Sequence, residues 1–405
     1  MRHGRLLGAL VFTLGAVSSA QAVPLVDFLS QGRLMLDTRY RYENVERSGF
    51  AQDANANTVR ERVSYETVPF WHLQALAEVQ ATQHLSNEFN DTVSGRTTYP
   101  QVPDPETFEL NRLQLSYAGT AGTAVTLGRQ LINLDDQRFI GASAFRQNEQ
   151  TFDAARFDYS GIANLTVTYA YVDRVNRVFG DRSSVGHFNG EIHFFNVGYD
   201  VPGVGKLSTF GYLLDLDHNS SLSTATYGIQ FTGKRLIEDV LSIHYIASYA
   251  HQTGYATNPL SLALDYWRVE GGFDYTGWSL TGGAETLGGN GVAGFSTPLA
   301  TLHAFQGDAD VFLTTPTQGI ADRYAKLGYH MDFDALAVTR RFSVIAAYHD
   351  YATARGGSRL GHELDFDSIL NINSSWRLDL AHAIYDGTPN FASRNKTWLS
   401  LTFNY

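Results

Sequence analysis

The feature that most constrains the fold is a period-two alternation that recurs along the chain with charge on one parity. In residues 32–45, Leu34, Leu36, Thr38, Tyr40 and Tyr42 share one face, while Arg33, Asp37, Arg39, Arg41 and Glu43 share the other with Met35. Successive side chains of a strand point to opposite sides, so this is a strand with one apolar and one charged face. The pattern returns in the neighbouring segments: Val59, Val63 and Tyr65 oppose Arg60, Arg62, Ser64 and Glu66; Trp71, Leu73, Ala75, Ala77 and Val79 oppose Gln74, Glu78 and Gln80; Leu113, Leu115 and Tyr117 oppose Arg112, Gln114 and Ser116. Further strands are expected near 123–129, 152–159, 163–173, 192–201, 206–216, 225–232, 240–250, 265–275, 278–287, 322–331, 341–351, 361–370 and 376–385. A last one, Lys396 to Tyr405, sets Thr397, Leu399, Leu401, Phe403 and Tyr405 on one parity. The total is about eighteen, an even number as a closed antiparallel cylinder requires.

The connections alternate in length. Short ones, at 67–70, 119–122, 160–162, 202–204, 276–277 and 371–375, are mostly Gly, Pro, Asn and Ser turns. Long ones lie at 46–58, 84–106, 130–150, 174–191, 251–264, 288–321, 352–360 and 386–395. Short turns on one side and long loops on the other is the asymmetry of barrels in bacterial outer membranes, with periplasmic turns and external loops. Rings sit where such a barrel wants an interfacial belt. Tyr65, Tyr117, Tyr159, Tyr199, Phe231, Tyr275 and Tyr329 end strands just before short turns, and Trp71, Trp278 and Trp376 begin the next ones, all on the apolar parity. The expected fold is all-β: a single transmembrane antiparallel up-and-down β-barrel of about 18 strands, both termini periplasmic. The final aromatic, Tyr405, resembles the terminal signal read by the barrel-assembly machinery of those cells.

Composition fills in the compartment. Arg2 and Arg5, the apolar stretch from Leu6 to Val17, and Ala20-Gln21-Ala22 read as a cleaved signal peptide over 1–22, leaving 23–405 as the barrel. Without Arg2 and Arg5 the mature chain has 28 Lys and Arg against 41 Asp and Glu, a balance that excludes nucleic acid as a partner. There is no cysteine, so no disulfide or thiolate metal site. Lysine occurs only at 206, 234, 326 and 396, so nearly all positive charge is guanidinium, whose planar fork suits carboxylates and phosphates. A wall of eighteen strands is ~36 Å across, too wide for side chains to fill, so the lumen is aqueous unless loops enter it.

Two stretches stand apart. The first holds Gly128-Arg129-Gln130, Asp135-Asp136-Gln137-Arg138-Phe139-Ile140-Gly141 and Phe145 to Asp153; the second runs from Thr297-Pro298-Leu299 through His303, Asp308, Asp310 and Phe312 to Pro316. Here, and in strand order from about residue 32 onward, the sequence resembles the alginate export family of outer-membrane barrels. The resemblance implies an eighteen-stranded channel in contact with outer-membrane lipid and lipopolysaccharide, with periplasmic secretion partners if it exports a polyuronate. Two features depart from the family's exporter. The turn at 371–375 is short where that exporter carries a long gating loop, and Glu363, Asp365 and Asp367 add three carboxylates to one face of a late strand.

Residue by residue, Arg129, Arg138, Arg146 and Arg156 lie close in sequence, interleaved with Phe139, Ile140 and Phe145, and apolar residues in so long a loop pack it back into the barrel mouth. With lumen-facing Arg33, Arg39, Arg41, Arg60, Arg62 and Arg112 they form a candidate basic track for a small anionic or uronate-type solute. The bland alternative pairs these arginines with Asp37, Glu43, Glu66, Asp135, Asp136 and Asp153 to stiffen the wall. The first expectation is a passive channel for carboxylate-bearing anions; the second is export of an acidic polysaccharide such as alginate. The remote third is a barrel hydrolase using Asp217-His218. No catalytic residue, metal or cofactor is assigned, although Asp308 with Asp310, or Asp365 with Asp367, has the oxygen chemistry of a Ca²⁺ ligand pair.

Overall fold

A computed structural model describes residues 25–335 and 338–405; the signal peptide expected at 1–22 lies outside them. Eighteen strands form one sheet in which every neighbour is antiparallel, and the first strand pairs with both the second and the last, closing the cylinder. In chain order they are β1 Arg33–Arg47, β2 Ala54–Glu66, β3 Leu73–His84, β4 Thr107–Ala118, β5 Thr123–Gln130, β6 Thr151–Tyr159, β7 Leu165–Asn176, β8 His187–Val201 and β9 Gly205–Leu216. The second half is β10 Thr224–Glu238, β11 Leu241–Gly254, β12 Ala263–Tyr275, β13 Trp278–Leu287, β14 Ile320–Ala335, β15 Val338–Ala352, β16 Arg359–Asn371, β17 Trp376–Asp386 and β18 Arg394–Asn404. The seam runs from Asp37 opposite Asn404 to Arg47 opposite Arg394.

The expected parity holds around the wall. Leu113, Leu127, Val269 and Leu327 are about half exposed on the outer face, which is where lipid takes the place of water. Rings cluster at the short-turn end: Trp278 lies 4.6 Å from Tyr329, and Trp376 lies 4.8 Å from Phe403. The two-residue turn Thr276-Gly277 has positive φ at both positions, a mirror-image hairpin turn that Gly277 accommodates without steric cost.

The strands extend beyond the boundaries that alternation indicates. β1 has 15 residues and β2 13, against the roughly 9–11 that span hydrocarbon. Above the lipid both faces are free to be polar. Asn55 and Asn57, on the outward parity of β2, accept hydrogen bonds from Tyr42 Oη (3.0 Å) and Tyr40 Oη (2.9 Å). The first long connection therefore shrinks from 46–58 to 48–53, and 174–191 to 177–186. Three long loops keep their length: L2 (85–106), L3 (131–150) and L7 (288–319).

The interior is not uniformly charged, as the outward-apolar reading implied. Phe152, Phe194, Phe210, Tyr212 and Tyr266 on β6, β8, β9 and β12 form a buried aromatic wall inside the barrel. Phe139 of L3 and Phe295 of L7 close over it; the Phe139 ring is 4.9 Å from Phe210 and 5.2 Å from Tyr266. Loop and wall hide each other's apolar surface from lumen water.

Candidate functional site

L3 crosses the lumen and is fastened at every stage. Asp135 accepts from Asn196 Nδ2 (2.6 Å) and Ser208 Oγ (2.7 Å), and Asp136 from Arg268 (2.9 Å). Arg138 donates to Glu285 on β13 at 2.6 Å, and Tyr266 Oη donates to the same oxygen at 2.8 Å. L3 then meets L7. Gly141 N donates to the Leu299 carbonyl (2.9 Å), Thr301 N to the Gln137 carbonyl (3.1 Å), and the Thr301 hydroxyl to Gln137 Oε1 (2.7 Å). The two stretches singled out in the sequence are thus one packed unit in the barrel mouth.

The end of L3 rests on β1 and β2, where Arg39 stands opposite Arg60 and Asp37 opposite Arg62. Arg39 donates to Gln147 Oε1 (2.9 Å) and to the carbonyls of Ala144 (3.1 Å) and Arg146. Arg41 donates to the Phe145 carbonyl (2.6 Å) and Ser400 Oγ (3.0 Å). Neither guanidinium has a carboxylate within salt-bridge distance among the described residues. Arg60 pairs with Asp37, and Arg62 with Glu149 at 2.9 Å. These four side chains form one wall of a cavity of about 590 Å³ toward the short-turn end; Asp308, Asp367, Arg377 and Asp379 also line it. A wider recess of about 940 Å³ lies across the barrel, lined by Lys206, Lys234, His244 and Glu270. The aromatic wall packs above that side.

At the top of the 590 Å³ cavity Phe145 stacks on His303, their ring centroids 3.4 Å apart. The Arg41 and Arg146 guanidinium carbons lie 4.2 and 4.9 Å from the Phe145 centroid, and Trp398 meets the ring edge-on at 5.6 Å. Asp310 of L7 gathers nitrogen groups here: Lys396 Nζ at 2.6 Å, Arg146 Nη2 at 2.9 Å and His303 Nδ1 at 2.9 Å. Burial alone would raise the Asp310 carboxyl, but Lys396, His303 and Arg146 outweigh it and hold it well below the usual carboxylate range. Burial likewise works against the Arg146 charge, and Glu43, Asp104 and Asp310 more than restore it, leaving its pKa above that of a free arginine.

Of the ten arginines named from sequence, the structure gathers Arg39, Arg41, Arg60, Arg62 and Arg146 around Phe145 and leaves Arg33 exposed at the short-turn end. It scatters the rest. Arg112 pairs with Glu78 (2.5 Å), Arg138 with Glu285 on the far wall, and Arg156 with Asp158 (2.8 Å). Arg129 stands opposite Leu113 in register, on the outward parity, and holds Asp153 with two nitrogens at 2.7 and 2.9 Å; it is not a lumen residue. Asp37, Glu43 and Asp153 are arginine partners as the alternative reading named them, and Glu66 faces Arg33 at 3.9 Å, whereas Asp135 takes Lys206 and Asp136 takes Arg268.

Sequence reasoning missed Arg377 and the role of His303 and Lys396. Lys396 is buried against Glu43 (3.3 Å) and Asp310, partners that only barrel closure and loop insertion bring to it. Of the two pairs considered for Ca²⁺, Asp308 and Asp310 sit against different nitrogens of the His303 ring. Asp217 and His218 are both exposed at the barrel rim.

Comparison with solved structures places the fold among outer-membrane barrels. Acinetobacter baumannii OccAB2 superposes with a TM-score of 0.70 at 16% identity, covering 94% of this chain and 99% of that one. Pseudomonas aeruginosa OpdK with vanillate gives 0.69 at 12%, covering 93% and 99%, and Pseudomonas aeruginosa OpdL gives 0.68 at 14%, again covering 93% and 99%. A search of curated proteins found no significant match. The family model described as Alginate export matches residues 31–280, more than half of the sequence, and the chain, an outer-membrane β-barrel with a porin-like channel fold, belongs to that family.

Proposed function

We propose that this channel passes small carboxylate-bearing anions, with short turns and both termini in the periplasm. The observation that carries the reading is the wall of Arg39, Arg41, Arg60 and Arg62, in which Arg39 and Arg41 have no carboxylate partner among the described residues. Their donors are spent on neutral oxygens, those of L3 and of Ser400 on β18, so no carboxylate compensates their charge within salt-bridge distance and both line the cavity. Asp308, Asp367 and Asp379 on the other side keep the lumen from being a uniformly basic conduit. Vanillate, present with the similarly folded OpdK, is itself a carboxylate. Liposome swelling tests the reading: a carboxylate should enter faster than its neutral amide of the same size, and equal rates would remove the charge requirement.

The family match favours a second reading, export of an acidic polysaccharide such as alginate. A polymer needs a continuous bore, which the Phe145–His303 stack interrupts. Block of ion current by short oligouronates added from the periplasmic side would support export over small-solute passage.

A further inference from the structure

Two cavities meet at the ring stack. The one toward the short turns, about 590 Å³, is walled by the arginines. The other, about 90 Å³, lies toward the long loops and is lined by Pro103, Arg177, Phe179, Pro298 and Leu313. Phe145 and His303 are the two residues that line both. Their separation of 3.4 Å is van der Waals contact, with room for neither a solute nor a water between them.

The two rings are held very differently. Phe145 is bolted down by buried guanidiniums: Arg41 holds its carbonyl at 2.6 Å, and Arg39 holds the carbonyls on either side of it. Moving this backbone breaks several charge-assisted hydrogen bonds, each worth about 1.5–3 kcal/mol, and turning the ring gives up the Arg41 and Arg146 guanidiniums at 4.2 and 4.9 Å from its centroid. His303 sits on the single 3₁₀ turn Leu302–Ala304, and its ring makes one hydrogen bond, to Asp310 at 2.9 Å. Rotating that side chain breaks this one hydrogen bond and gives up the Asp308 contact at 3.9 Å and the Trp398 edge at 5.5 Å. Gly307, with φ +78°, lets the following stretch of L7 lie against Tyr351 and Glu363, where a Cβ would collide, so the turn carrying His303 hangs from a loop anchored on both sides.

We propose that His303 is the movable leaf, and Phe145 the fixed leaf, of a two-ring septum that sets the size of solute admitted between the outer pocket and the arginine cavity. This deepens the channel reading and rests on it for the through-path. A passing solute displaces the imidazole and meets Arg41 and Arg39 as soon as it does so. Selection by size and selection by charge are then consecutive steps.

Single-channel conductance in planar bilayers tests this, with heat-modifiable electrophoretic migration confirming that each variant is folded. His303→Ala removes the leaf and should raise conductance about threefold. His303→Phe keeps a ring on Phe145 but loses the Asp310 bond, and should stay at the wild-type level. His218→Ala, at the exposed rim, should also match wild type. Equal conductance of His303→Ala and wild type overturns the septum, and so does a His303→Phe channel as open as His303→Ala. Ion selectivity read from the same traces separates the two ideas: an opened but cation-selective His303→Ala channel supports the septum and sinks the anion reading. An anion-selective channel indifferent to His303 does the reverse.

Discussion

Lys396 on β18 places its ammonium 2.6 Å from Asp310 in L7 and 3.3 Å from Glu43 on β1, so one charge ties both strands of the barrel seam to the loop that fills the lumen. The loops are therefore part of the wall's electrostatics, not an addition to it.

Asp310→Asn should release this tie. Lys396 and Arg146 would be left buried with Glu43 as their main remaining counter-charge, and breaking a buried pair costs about 3–5 kcal/mol. The expected outcome is a lower temperature for the heat-modifiable transition and faster protease cleavage within 288–319. Unchanged values would mean that the loop is held by its apolar contacts alone.

The same carboxylate sets an acid limit. Its pKa is depressed in the fold, so its stabilising contribution is complete above the unfolded value near 4 and is lost as pH falls from there through the folded value. The Asp310 contribution to the protease resistance of L7, read as the difference between wild type and Asp310→Asn, should be constant from pH 7 to about pH 4 and decline only below. Loosening already at pH 6 would point to a different titrating group.

Arg112 and Arg41 should behave differently although both face inward. Arg112→Ala strands the buried Glu78, which now has Arg112 at 2.5 Å, and should cost about 3 kcal/mol of stability in urea titration without moving ion selectivity. A selectivity change as large as that from Arg41→Ala would put Arg112 on the path.

The ring belt should report lipid contact. Trp278 is half exposed on the outer face and packs on Tyr329, so brominated lipid should quench its fluorescence. Trp278→Ala should lower stability by about 1 kcal/mol.

The wall was legible from sequence because lipid and water impose opposite demands on alternate residues, and one strand such as 33–47 displays both. Its upper reaches were not. Once Asn55 and Asn57 clear the hydrocarbon the parity signal vanishes, although pairing with β1 continues. Entry of L3 into the lumen could be read from Phe139, Ile140 and Phe145, but its counterpart wall could not, since Phe194 and Phe210 look like lipid-facing residues until register sets them inside. Arg129 misled because it lies at the end of a short strand, where one position of offset exchanges lumen for lipid. The site at Phe145 depends on partners such as His303 and Lys396, more than 150 residues away, and no local pattern marks them.

The most direct measurement of the central claim is the reversal potential of the purified channel in a KCl gradient, taken for wild type and for Arg39→Gln with Arg41→Gln. The expected result is anion selectivity in the wild type that falls to near neutrality or inverts in the double variant. A cation-selective wild type, or selectivity indifferent to both substitutions, would contradict the assignment of the unpaired guanidiniums as the anion-conducting wall.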